Sequence, residues 1–105
     1  MSILVDEDTI IEILSRHLGS IIDHIIEKNR FPIDLEYDYE DVLLYIYRRL
    51  VKIWFKNIEP TEEALEERIK QVKRRKRVEL EVLLSYLISR YVHYRRALTV
   101  SKGKE

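Results

Sequence analysis

The chain has 105 residues, of which 46% are hydrophobic and 36% are charged, a composition typical of one small folded domain rather than of a disordered chain. It contains two Gly, two Pro and no Cys, which argues against turn-rich all-β folds, phosphate-cradling loops, disulfide frameworks and thiolate metal sites. The net charge is zero, yet residues 1–41 carry 11 acidic and 3 basic side chains, whereas residues 42–105 carry 8 and 16. This polarity favours docking of charged partners.

The sequence contains no apolar run near the roughly 18 residues that a membrane span requires. Its N-terminal segment is flanked by acidic residues rather than by the basic residues of a signal peptide. We therefore expect a cytoplasmic protein with no membrane partner. The abundance of Ile, Lys, Glu and Arg is typical of thermophilic proteins.

The first predicted helix runs from about Thr9 to Asn29. Thr9 and Glu12 have the spacing of a capping box at its start. Gly19 costs about 1 kcal/mol of helix propensity relative to Ala, which we interpret as the cost of a close approach by another helix. The apolar face is broad and comprises Ile10, Ile11, Leu14, Leu18, Ile21, Ile22, Ile25 and Ile26.

A connector follows the first helix, and apolar residues alternate with polar ones along it. Phe31, Ile33 and Leu35 predict a short extended stretch that lies along the core. The second predicted helix runs from about Tyr39 to Asn57, with Asp38 as its N-cap. Its expected buried side comprises Val42, Leu43, Ile46, Leu50, Ile53 and Trp54.

Thr61 is the predicted N-cap of a long third helix, and the helix is expected to continue because no Gly or Pro occurs between Thr61 and Lys102. About 34 helical residues would span roughly 50 Å, more than a small domain can bury, so part of this helix is expected to pack on another molecule. The predicted fold is therefore all-α, an elongated bundle of three main helices in a single domain of residues 1–105. The apolar positions in helical phase are Leu65, Ile69, Val72, Leu80, Leu83, Leu87, Tyr91 and Leu98.

The sequence offers no convincing catalytic or metal-binding constellation. His17 and His24 are seven residues apart, about 10.5 Å along a helix, which is too far to hold one metal ion. The acidic residues of segment 34–41 lack the spacing of a calcium-binding loop. We expect no enzyme activity, no metal site and no cofactor.

The strongest electrostatic feature is a basic run in the third predicted helix, and it has two interpretations. It can contact an acidic protein or the phosphate backbone of a nucleic acid, or it can be a solvated face that is partly paired with glutamates at helical spacing. The run comprises Lys73, Arg74, Arg75, Lys76 and Arg77.

The last predicted helix contains several tyrosines and arginines, and these residue types are enriched at protein interfaces. The same residues can also stack on single-stranded bases, but the abundance of Leu, Ile and Val favours a protein partner. The residues expected to face that partner are Leu83, Leu87, Arg90, Tyr91 and Tyr94.

The segment from Arg74 to Leu98 resembles the long helix of the helical A domain in GINS subunits, here of the archaeal type. The resemblance lies in a basic start at residues 75–77, a leucine-rich core and an Arg-Ala-Leu end at residues 96–98. The core positions that match are Leu83, Leu84, Tyr86, Leu87 and Arg90.

This resemblance implies a structural subunit of a DNA replication complex that is associated with the chromosome. Such subunits pack long helices side by side and bridge the replicative helicase to a RecJ-like or Cdc-type protein. The chain would correspond to an A domain without the β-rich B domain common in the family. Two alternatives stay open, a small viral or CRISPR-associated nucleic-acid-binding module that uses residues 73–77, and a homodimeric helical bundle.

Overall fold

The computed structural model describes the backbone of residues 5–103 and the side chains of residues 5–98. This part of the chain is all-helical and contains no strand, which confirms the predicted fold class. None of its helices is long and apolar enough to cross a membrane. The four helices are α1 (Glu7–Asn29), α2 (Tyr39–Phe55), α3 (Glu62–Arg75) and α4 (Arg77–Gly103).

The predicted long third helix is wrong, because the chain breaks it at Lys76 into α3 and α4. Lys76 has φ −134° and ψ 47°, and its amide still donates to Val72 while its carbonyl accepts from Leu80. One straight helix over residues 62–103 would span roughly 63 Å, which exceeds the longest extent of the Cα trace, 45 Å. The break lets both Leu65 of α3 and Leu80 of α4 enter the same core.

Helix α1 packs against each of the other three helices, as α4 also does. Its broad apolar face, predicted from the sequence, therefore has three partners instead of one. The largest fully buried side chains of α1 and α2 are Ile13, Leu14, Leu18, Ile22, Leu43, Ile46 and Leu50.

The first residues of α1 and α3 are set by side chains that cap the helix N-terminus. Helix α1 begins at Glu7, two residues before the predicted Thr9, because the Asp6 carboxylate accepts from the Thr9 amide at 2.8 Å. This bond lowers the pKa of Asp6. Thr61 caps α3 as predicted and accepts from the Ala64 amide at 3.1 Å.

The connector between α1 and α2 is a series of turns rather than the predicted extended stretch. Arg30 has a positive φ of 54° and ends α1, and the Asp38 amide then closes a turn onto the Asp34 carbonyl. Phe31, Ile33 and Leu35 nevertheless pack against the core, as the alternation predicted.

Helix α2 ends at Phe55, two residues before the predicted end, because Lys56 and Asn57 both adopt positive φ values. Ile53, expected on the buried side, is 52% exposed. The core side of α2 is instead completed by Tyr47 and Val51.

Candidate functional site

Helix α4 is apolar on two opposite sides. Its inner side lies in the core and comprises Leu80, Leu84, Leu87, Ile88 and Tyr91. On the other side, Val78, Val82 and Tyr86 are 73%, 65% and 60% exposed. Their spacing of four residues places them in one line along the helix. We call these three residues the outer stripe.

The residues predicted to face a partner do not share one surface. Leu87 and Tyr91 are 2% and 4% exposed and belong to the chain's own core, so neither is free to face a partner. Leu83 is half-buried and lines a cleft, whereas Arg90 and Tyr94 are exposed.

The outer stripe was not predicted, because only one apolar face was expected on the last helix. The sequence does contain a second set of apolar residues at helical spacing. Val78, Val82 and Tyr86 repeat every four residues on the side opposite Leu80, Leu84 and Leu87.

A tyrosine cluster joins α2 to the second half of α4. The ring of Tyr45 meets that of Tyr91 edge-on, with centroids 5.5 Å apart, and that of Tyr94 at 6.1 Å. The guanidinium of Arg49 lies over the Tyr45 ring, 5.0 Å from its centroid. The cluster borders an open concavity of about 670 Å³ along α2. Tyr91 and Tyr94, both predicted to face a partner, thus contact Tyr45 of α2, which was not predicted to take part in a site.

An ion pair between Asp38 and Arg95 links the start of α2 to α4. The sequence predicted Asp38 as a capping side chain, but its carboxylate makes no cap bond to α2. It instead accepts from Arg95 and from the Asp34 amide. The hydrogen bond from Arg95 lowers the pKa of Asp38, and the same contact raises the pKa of Arg95.

The predicted basic run surrounds the break between α3 and α4. Arg74, Arg75, Lys76 and Arg77 are exposed, and Lys73 is half-buried. Arg77 pairs with Glu81 at 3.7 Å, whereas the other four make no ion pair with any residue that the structure describes. The break therefore concentrates unpaired positive charge at one corner of the bundle.

A cleft of about 320 Å³ lies beside this corner. Trp54 of α2 and Leu83 of α4 form apolar walls, while Arg75 and Lys76 lie at its edge. The indole of Trp54 remains half-buried, so the cleft combines an aromatic surface with nearby positive charge.

Two buried polar groups lie between helices rather than in an open site. The Nε2 atom of His17 and the Oδ1 atom of Asp23 have no hydrogen-bond partner among the described residues. Burial lowers the pKa of His17. Across residues 5–98, no group of three His, Cys, Asp or Glu side chains is arranged to hold a metal ion.

No protein-family model matches this chain, and no curated protein or solved structure is significantly similar to it. The surfaces that bear on its function are the outer stripe, the tyrosine cluster and the basic corner, which is formed by residues 73–77.

Proposed function

We propose that this protein is a non-catalytic assembly subunit that binds a helical partner protein through the outer stripe of α4. The observation that supports this proposal is the presence of apolar side chains on opposite sides of one helix. A helix that is apolar all round is normally buried on both sides. The core of the chain covers one side of α4, and a partner would cover the other.

The outer stripe has the composition of an interface centre. Val78 and Val82 provide rigid aliphatic surface, and Tyr86 adds a large ring with a polar end. Glu79 and Arg90 flank these residues and are exposed. An apolar centre with a charged rim is the usual anatomy of a protein–protein contact.

The resemblance to GINS subunits suggests the cellular process in which such a subunit would act. The stretch that carries the resemblance, from Arg74 to Leu98, spans the outer stripe, and Tyr86 is the stripe residue at a matching position. The proposed assembly is therefore a DNA replication complex, and the proposed partners are other subunits, the replicative helicase and a RecJ-like or Cdc-type protein. Long-helix packing would join them.

Affinity capture from a nuclease-treated lysate of the source organism, read by mass spectrometry, tests this proposal. The wild-type chain should recover replication-helicase components in defined ratio, and Val82→Glu should lose them because a charge would be buried in the interface. Ile58→Glu is the matched control, since Ile58 is 71% exposed and lies outside α4. Equal recovery by wild type and Val82→Glu would overturn the outer stripe as the binding surface.

Nucleic-acid binding is a second candidate, favoured by the unpaired charge of the basic corner. Phosphate contacts make affinity fall as salt rises, with a slope of about 0.7 per contact for single strands and 0.9 for duplexes on a double-logarithmic plot. Replacing Arg74, Arg75 and Lys76 with Gln should weaken binding to an oligonucleotide and flatten that slope. The outer-stripe variant Val82→Glu should bind nucleic acid as wild type does.

A further inference from the structure

The outward face of α2 has an ordered sequence of charges. Asp41, Tyr45, Arg48 and Lys52 are spaced by four, three and four residues, which places them in one line along the helix. The three charged side chains are exposed, and Tyr45 is half-buried. Read from the start of α2, the line is acidic, aromatic, basic and basic.

The three charged side chains of this face, Asp41, Arg48 and Lys52, form no ion pair within the described part of the chain. The neighbouring cations differ, because Arg49 lies over the Tyr45 ring and Arg95 pairs with Asp38. The α2 face thus presents separated acidic and basic ends to a binding partner.

We propose that the partner is a second copy of this chain, packed antiparallel along α2 about a two-fold axis between Tyr45 and Arg48. Asp41 and Lys52 are equally far from that axis, so Asp41 lies opposite the partner's Lys52. Tyr45, whose ring already contacts Arg49 and Tyr91, likewise lies opposite the partner's Arg48. The two-fold symmetry makes each contact twice.

The arrangement of charge selects this geometry over a parallel one. In a parallel pair the acidic ends would meet each other and the basic ends would meet each other. Like charges placed side by side disfavour association. An antiparallel copy instead brings each acidic end to a basic end, which is the self-complementarity that an isologous dimer requires.

The dimensions of the surface suit the same occupant. Tyr37, just before α2, is 77% exposed, and a concavity that Asn57 and Glu59 line lies along α2. Helix α2 has 17 residues and is about 25 Å long, which suits a small, reversible interface.

This dimer goes beyond the proposed assembly function and uses a different surface. The α2 face and the outer stripe lie on different helices, so variants can separate them. Val82→Glu should abolish capture of the heterologous partner without affecting the dimer. Variants of the α2 face should do the reverse.

Light scattering on the nuclease-treated, purified chain tests the dimer. The wild-type mass should rise with concentration toward twice 12.8 kDa and should fall again as salt is added. Asp41→Lys and Lys52→Glu should each weaken the dimer about tenfold or more, because the two-fold symmetry duplicates each repulsion. Lys28→Glu on α1 is the control and should dimerise normally.

The sharpest measurement is an equimolar mixture of Asp41→Lys and Lys52→Glu. Each variant alone should be monomeric, but in the mixture both contacts join opposite charges, and the doubled mass should return. Return of the dimer also shows that both variants are folded. The proposal is overturned by a wild-type mass of 12.8 kDa at every concentration, by a mixture that stays monomeric, or by loss of the dimer in Val82→Glu.

Discussion

The hydroxyl oxygen of Tyr39 lies 3.0 Å from the position that a Cβ atom would take on Gly19. The α1 backbone at Gly19 is therefore approached by the far end of a side chain from the start of α2, and not by the backbone of another helix as predicted. Burial raises the pKa of Tyr39, and the negative charge of Asp23 adds to the effect. The Tyr39 hydroxyl thus occupies the space that a side chain at position 19 would need.

Replacing Gly19 with Ala should therefore not deliver the stability that helix propensity alone promises. Ala is favoured over Gly by about 1 kcal/mol inside a helix, but its Cβ would crowd the Tyr39 hydroxyl. We expect Gly19→Ala to leave the free energy of unfolding unchanged or lower it. In a Tyr39→Phe background the same change should raise stability by up to about 1 kcal/mol. Urea denaturation of the four proteins measures this, and a full gain in the single variant would contradict the close contact.

Proline substitution tests the break at Lys76. Arg77 is the first residue of α4, and its amide donates to no backbone carbonyl in the described part of the chain. The first position of a helix tolerates Pro, so Arg77→Pro should cost less than about 1 kcal/mol. Gln71→Pro, inside α3, should cost about 3 kcal/mol. If the two variants unfold at equal urea concentrations, then α3 and α4 are one continuous helix.

Alanine substitutions distinguish the two apolar sides of α4. Leu87 is 2% exposed, so Leu87→Ala should lower the free energy of unfolding by about 2–5 kcal/mol through lost burial and a cavity. Val82 is 65% exposed, and Val82→Ala should change it by no more than about 0.5 kcal/mol. Thermal denaturation of both variants provides the comparison. A large loss for Val82→Ala would place the outer stripe in the core.

The stability of the protein should fall on mild acidification because of His17. Burial holds the pKa of His17 below its usual value of 6.5, opposed by Glu66 and reinforced by Arg16, Lys73 and Lys70. The unfolded chain therefore binds the proton at a higher pH than the folded protein does. The stability from neutral His17 is present above pH 6.5 and is lost as the pH falls toward the lower folded-state pKa.

Denaturation midpoints from pH 8 to pH 5 measure this effect. We expect His17→Gln to flatten the decline, because it removes the buried group that resists protonation. His24→Gln is the matched control, since His24 is exposed on the same helix. A decline of the same size in wild type and His17→Gln would exclude His17 as its cause.

The candidate surfaces were only partly predictable. The sequence indicated that Tyr94 and Arg90 lie on the surface and that residues 73–77 concentrate positive charge. Leu87 and Tyr91 were predicted to face a partner but lie in the core, because the sequence of a helix with two apolar sides does not reveal which side faces the core. Nor did it show that Tyr45 of α2 meets Tyr91 and Tyr94, since such a contact depends on how α2 and α4 pack.

The all-α class, helices α1 and α2 and the Thr61 cap were predictable, because helical periodicity, scarce Gly and Pro and capping residues are local signals. The break at Lys76, the exposed side of α4 and the ion pair of Asp38 with Arg95 instead depend on how the helices pack. No local residue type forces the break. It is favoured because a bent chain packs Leu65, Ile69 and Leu80 into one core, where a straight helix would leave apolar surface in water.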